Sequence, residues 1–295
     1  MSGKRSVCQR VGVLSLLVML VGAAAAQDGG KPRADLKEPM VRVANRTAPQ
    51  IPQLQPTFDG AMIWARMGLD NLHRIDDYTC LLVKRERVSG TLGDYEFMQT
   101  KIRHRRVRDG KTVPFSVYMQ FVKPASVKGR EVMYIEGANS DKMIAHEGGP
   151  TGGLLPTVWL KTNGIIAMRG NRYPITDVGM ENLVLKLIER GELDRRRGTN
   201  RCEVVFQNNA KVNGRVCTMM QFKNSQAAPN LDFHLAQVFV DDELQLPIRY
   251  VAYGFPTKAG EELPVIEEYT YLNLKLNVGL TDADFDHTNT MYRFK

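Results

Sequence analysis

Two stretches alternate so strictly between apolar and polar residues that they restrict the chain to sheet-based folds. In Phe115-Ser116-Val117-Tyr118-Met119-Gln120-Phe121 every odd position is apolar, and in Leu272-Asn273-Leu274-Lys275-Leu276-Asn277-Val278 every even position is. A period of two puts residues i, i+2 and i+4 on one face of a strand, so each stretch has one face for a core and one wetter face, as antiparallel sheets do. Further strands are expected over Tyr78–Val88, Tyr95–Val107, Arg130–Glu136, Cys202–Phe206, Val216–Lys223, Phe233–Val240 and Ile248–Tyr253, with Gly, Asp or Pro between many of them. Phe58, Met62, Ala65, Leu69 and Leu72 instead recur at helical spacing, and a second helix is expected from about Asp177 to Glu192. The apolar run Leu160–Gly170 fits neither period. About nine strands with two helices outside the strand runs give an antiparallel α+β architecture, with residues 57–295 as one domain.

The N-terminus has another character. Lys4, Arg5 and Arg10 precede the apolar run 11–21, which leads into Gly22 and four alanines. That is the pattern of a secretory signal, cut after Ala26 and before Gln27. The run is too short to cross about 30 Å of hydrocarbon, and with a mean hydropathy of −0.29 the chain is no polytopic membrane protein. Residues 27–56 hold five prolines and little apolar content, the composition of a flexible tether. An exported protein of the periplasm or cell envelope is expected. Its net charge of +8 would fall to +5 with the signal, which takes three cations and no acid.

Export permits disulfides, and three cysteines follow the signal: Cys80, Cys202 and Cys217. Cys202 and Cys217 flank a hairpin and are the candidate pair. A tight turn at Asn213-Gly214 sets Cys217 opposite Ala210, far from Cys202, whereas a wider loop over 207–214 brings the two cysteines together.

Catalytic patterns are not found. The five histidines are scattered, and there is no Cys-x-x-Cys, Gly-x-Ser-x-Gly or His-Glu-x-x-His. Asp282-Ala283-Asp284-Phe285-Asp286 starts like a calcium loop, but His287 stands where the loop needs glycine. The tract Gly148–Gly153 reads as a flexible loop, and Cys80 reads as a packed strand residue. No cofactor, metal or enzymatic activity is expected. The basic stretch Lys101–Arg108 reads, in an exported chain, as a solvated strand edge or a contact for anionic lipid head groups, with no nucleic acid partner.

Several segments taken together resemble a known family. Tyr78-Thr79-Cys80, Lys84-Arg85-Glu86-Arg87-Val88, Pro114–Met119, Lys128–Val132, Asn171-Arg172-Tyr173-Pro174-Ile175 and Glu268-Tyr269-Thr270-Tyr271 resemble the bacterial exported family called domain of unknown function 1571, over residues 60–288. More distantly, the order of a helix, a strand opened by Tyr-Thr-Cys and a meander of strands is similar to outer-membrane lipoprotein carriers of the LolA type and to related periplasmic regulators. That likeness implies a curved antiparallel half-barrel closed by a few helices around an apolar interior. The expected function is non-catalytic: holding a lipid, acyl or lipoprotein ligand against Phe115, Val117, Met119, Phe121, Met133, Ile135, Leu272, Leu274 and Leu276. The alternative is an envelope interaction, regulatory or scaffold protein whose core is filled by those same residues.

Overall fold

The computed structural model describes residues 37–43, 55–150, 152–198, 202–225, 227, 231–258 and 260–294. Ala26 and Gln27, the expected cleavage position, lie outside them. The chain divides into two units, Met1–Lys37 and Glu38–Lys295.

In the larger unit, β1 (Val41–Arg42) precedes α1 (Phe58–Leu72). Next come β2 (Asp77–Val88), β3 (Thr91–Leu92), β4 (Glu96–Arg103), β5 (Arg106–Arg108) and β6 (Lys111–Val113). The chain continues through β7 (Ser116–Lys123), β8 (Glu131–Ile135), β9 (Lys142–His146) and β10 (Val158–Lys161) to α2 (Met180–Arg197). It ends with β11 (Glu203–Val212), β12 (Arg215–Lys223), β13 (Leu235–Asp241), β14 (Pro247–Tyr253) and β15 (Val265–Leu276). One curved, unclosed sheet of thirteen strands runs β1-β11-β12-β13-β14-β15-β2-β4-β7-β8-β9-β10, with β3 beside β2 and β5–β6 as a separate ribbon. Every pairing is antiparallel, and the fold is α+β. Two sequential meanders, β2 to β10 and β11 to β15, meet along the single β2–β15 seam.

Both helices start and stop where local chemistry dictates. The Thr57 hydroxyl accepts from the Gly60 N–H at 3.0 Å and caps α1. α2 carries Arg195–Arg197 in its last turn and ends on Gly198 in the left-handed region. A side chain at Gly191 would come within 2.3 Å of Met62 Sδ, so glycine lets the two helices close on each other. Trp64 and Ala61 of α1 pack on Met220, Val238 and Tyr250 of the sheet, while Met180 and Val184 of α2 pack over its centre.

The opposite face of β4, β7, β8 and β9 is covered by the C-terminal segment. Phe285, Tyr292 and Phe294 bury Tyr118, Met133 and Ile144, and Asp282 and Asp284 pair with Arg103 and Lys101 at 2.6 and 2.8 Å. Asp77 accepts three backbone N–H bonds, from Val278, Gly279 and Leu280, and fixes the turn that leads into this strap.

Several expectations are corrected here. Within the segment expected to be a tether, Val41 and Arg42 pair with Val212 and Lys211, and the Asn213 side chain accepts from the Met40 N–H at 2.7 Å. The β11–β12 hairpin takes the tight turn, with Cys217 opposite Ala210, while Cys202 lies beyond the far end of the ladder. All three described cysteines are free thiols, so no Cys202–Cys217 bridge forms. The strand expected over 95–107 breaks after Arg103, and its cations are neutralised within the fold. Arg106 bonds Glu181 at 3.0 Å, Arg105 bonds Glu136 at 2.9 Å, and Arg108 pairs with Asp76. The basic stretch therefore carries no patch of unpaired charge for lipid head groups. The start of the glycine tract is packed: a side chain at Gly148 would meet Arg130 N at 2.1 Å and Val127 O at 2.4 Å, whereas one at Gly153 would meet nothing.

Candidate functional site

Between the inner face of the sheet and α2 lies a cavity of about 1000 Å³. Its floor is built by in-phase strand residues: Leu82 of β2, Met98 of β4, Met119 and Phe121 of β7, Val132 of β8, and Met143 of β9. Its roof is the connection from Leu155 to Gly179 together with Leu183 and Leu187 of α2. Methionine supplies three of these floor positions, which suits a surface that adapts to flexible apolar groups. A second, smaller cavity of about 110 Å³ lies under α1, beside Trp64 and Cys202.

The expected lining residues divide. Met119 and Phe121 line the cavity, and Val117 is fully buried beside it in the same cluster. Phe115 packs at the edge of that cluster. Met133 and Ile135 face the other way, towards Phe285 and Tyr292. Antiparallel partners share a face, and Val117 and Met119 stand opposite Tyr134 and Val132, so the even residues of β8 point inward. Leu272 stands opposite Leu81, away from the cavity, whereas its neighbour Tyr271 stands opposite Leu82. A bulge between Leu272 and Lys275, with Asn273 at positive φ, then changes the phase, and Leu276 packs against the inner cluster opposite Tyr78. Leu274, within the bulge, packs partly on two clusters. None of Leu272, Leu274 and Leu276 lines the cavity.

One part of the wall is charged, and no expectation from the sequence included it. Glu86 of β2 and Glu267 of β15 stand directly opposite each other across the seam, each about 6% exposed. Arg172 from the roof donates its backbone N–H to Glu86 and its Nε–H to Glu267, both at 3.0 Å. The Tyr269 hydroxyl donates to Glu86 and lies 3.4 Å from Glu267. Lys84 pairs with Glu86 at 3.5 Å and Glu96 at 3.1 Å, and donates to the Asn171 side chain. Burial raises the Glu267 carboxyl above the usual range, against the opposing pull of Arg172 and Tyr173, and the neighbouring Glu86 adds to the rise. Burial works against the Lys84 ammonium, but Glu96 and Glu86 outweigh it and hold the lysine charged. Both carboxylates are thus engaged by cations and hydroxyls of the fold. The arrangement clasps roof to floor and gives an otherwise apolar chamber one polar wall. Apart from Glu96, its residues come from three of the segments that carry the family resemblance, 84–88, 171–175 and 268–271, and their neighbour Glu267.

Elsewhere the titratable groups are structural. Glu181, at the start of α2, accepts from Arg106 at 3.0 Å and lies 3.0 Å from His104 Nδ1. Burial opposes its charge, but these two partners hold its carboxyl at about 2. Burial pushes the Cys80 thiol up, which leaves it inert. Among the described residues no group of three or more His, Cys, Asp or Glu side chains is placed to hold a metal, and no helix is long and apolar enough to cross a membrane.

An open antiparallel sheet, roofed by a helix and a long connection over a ligand-sized chamber, is the class that the fold and cavity define. The chain belongs to the family described as protein of unknown function (DUF1571), whose model matches residues 75–294. No curated protein matches the sequence. Among solved structures, a DUF1329 family protein from Desulfovibrio piger is similar at 16% identity and a TM-score of 0.33, covering 78% of this chain and 97% of that one. A chain of the Pseudomonas aeruginosa MucA/MucB complex is similar at 11% identity and a TM-score of 0.42, covering 77% and 60%. A LolA superfamily protein from Nitrosomonas europaea is similar at 12% identity and a TM-score of 0.29, covering 75% and 97%. Scores this low transfer no role.

Proposed function

We propose that this is an exported, non-catalytic binding protein of the cell envelope that holds the acyl part of a lipid or lipoprotein in the cavity. The observation that carries this is the chamber itself: about 1000 Å³ of space against a floor of Leu82, Met98, Met119, Phe121, Val132 and Met143. That volume lies at the upper end of ordinary small-ligand sites, and such sites are mostly apolar with a few placed polar groups. Each methylene moved from water into such a space is worth about 0.8 kcal/mol, so a long chain needs only shape and apolar lining to be retained. The polar wall around Arg172 and Lys84 then sets which end of a ligand lies inward. With both carboxylates already bonded, the wall has a positioning role and offers no free acid–base pair.

The test is organic extraction of the purified protein followed by mass spectrometry, together with titration of a fluorescent fatty acid. An acyl lipid in the extract and saturable probe uptake are expected. Met119→Glu puts a charge on the cavity floor, where solvent entering the chamber can wet it, so the variant should fold and retain little lipid. A folded Met119→Glu protein that keeps its full lipid content, or a wild-type protein that takes up no probe, would overturn the proposal.

A further inference from the structure

Six of the large apolar side chains that are exposed among the described residues lie within thirteen positions of one another. They are Leu154, Leu155, Val158, Trp159, Ile165 and Ile166. Leu154 and Ile165 are 84% and 89% exposed, values that no packed loop residue reaches. Leu155, Val158 and Ile166 also line the cavity, so this flap forms its mouth. Its charge is one-sided. Between Glu147 and Asp177 the sequence holds no acidic residue, yet it holds Lys161, Arg169 and Arg172. Arg172 is committed to Glu267, but Lys161 and Arg169 are exposed and make no ion pair among the described residues. This contrasts with other cations lining the same cavity, since Arg130 pairs with Glu147 and Lys186 with Asp177.

We infer that the flap Leu154–Arg169 docks the cavity mouth onto an anionic lipid bilayer. A protruding apolar tip, a half-exposed tryptophan and unpaired cations without a neighbouring acid are what a membrane interface selects. Apolar side chains enter the head-group boundary, the indole ring sits at its level, and the cations meet the lipid phosphates. Docking goes beyond retention of a ligand: it holds whether or not an acyl chain occupies the chamber, and it would let such a chain pass between bilayer and cavity without crossing water.

The chain has two tryptophans, one of them Trp64, which is buried under α1, so Trp159 alone reports on the flap. That matters because the apolar run at 11–21 can itself partition into lipid in the full chain, but it holds no tryptophan. Fluorescence is therefore measured with vesicles of brominated phosphatidylglycerol and, separately, brominated phosphatidylcholine. Strong quenching and a blue shift are expected with the first and little change with the second, and Trp159→Phe should remove the response. Lys161→Gln with Arg169→Gln should weaken the phosphatidylglycerol response about thirtyfold, or about 2 kcal/mol at about 1 kcal/mol per cation. Leu154→Glu with Ile165→Glu, at positions too exposed to disturb folding, should abolish it. Lack of quenching by anionic vesicles, a response unchanged in either double variant, or self-association in solution that the Leu154→Glu/Ile165→Glu variant loses would overturn the inference. The last outcome would assign the flap to a second copy of the chain.

Discussion

Replacing Arg172 by alanine should cost stability in a way that depends on pH, and the direction follows from the polar wall. Arg172 binds Glu267 at 3.0 Å, with its own side chain 34% exposed and the carboxylate buried. Removing one partner of a fully buried pair costs about 3–5 kcal/mol, and the exposure of Arg172 lowers this to about 1–3 kcal/mol. The size is set by the ionised form of Glu267. Its folded pKa is already raised by burial, and without Arg172 it rises further. A carboxyl with a raised folded pKa binds more protons in the native state than in the unfolded state, so its contribution to stability falls as pH climbs from the ordinary carboxylate range through the folded value. At about pH 4 the variant should therefore lie within about 1 kcal/mol of wild type, the cost of the lost bond to the Arg87 carbonyl. Near neutrality the full loss should appear. Urea unfolding followed by circular dichroism at the two pH values measures this, provided the slopes agree. Adding Glu267→Gln to the variant should recover most of the neutral-pH loss by removing the stranded charge. A deficit of equal size at both pH values, or no recovery in the double variant, would refute the electrostatic account of the wall.

Glu181→Gln should destabilise the protein by about 1–3 kcal/mol near neutrality, because it weakens the clasp of His104 and Arg106 on the start of α2. The Glu181 pKa is depressed, so in wild type this contribution is present above the ordinary carboxylate range and is lost as pH falls towards about 2; acid titration of the unfolding midpoint in both proteins checks the sign. Gln120→Glu, although half exposed and away from the cavity, should cost about 1–3 kcal/mol, because Gln120 donates to the fully buried Glu131 and the substitution sets two carboxylates together. Recovery of that loss below about pH 4 in thermal melts would support the assignment, and no loss at pH 7 would contradict it.

Helices and most strands were legible because each buries one face, and a one-sided demand writes a period into the sequence. β7 is the clearest case: Val117, Met119 and Phe121 face inward as the alternation implies. β8 was not legible in phase, since Val132, Met133, Tyr134 and Ile135 are all apolar. The C-terminal strap covers its outer face, and a strand buried on both sides carries no alternation. On β15 the even leucines suggested one continuous face, but the bulge between Leu272 and Lys275 breaks the phase. β9 and β10 are too short to write a pattern, although both line the cavity or its mouth. The charged wall was hidden for another reason. Glu86 sits in a run of basic residues that looks solvated, and its partners lie 86 and 181 positions away, a distance over which sequence alone pairs nothing.

The two meanders share one seam, and this sets an order of events in time. Each meander joins strands that follow one another closely in the chain, so each can form locally, while the β2–β15 pairing joins residues such as Leu82 and Tyr271, separated by 189 positions. Such a closure carries a large loop-entropy cost and comes late. Glu86 and Glu267 meet only when the seam forms, and the lining of the chamber draws on both meanders, with the floor from the first and Tyr250, Tyr269 and Tyr271 from the second. Competence to hold a ligand would therefore appear all at once at the end of folding, and a half-made chain would expose Leu82, Met98 and Tyr269 to any chaperone or bilayer within reach.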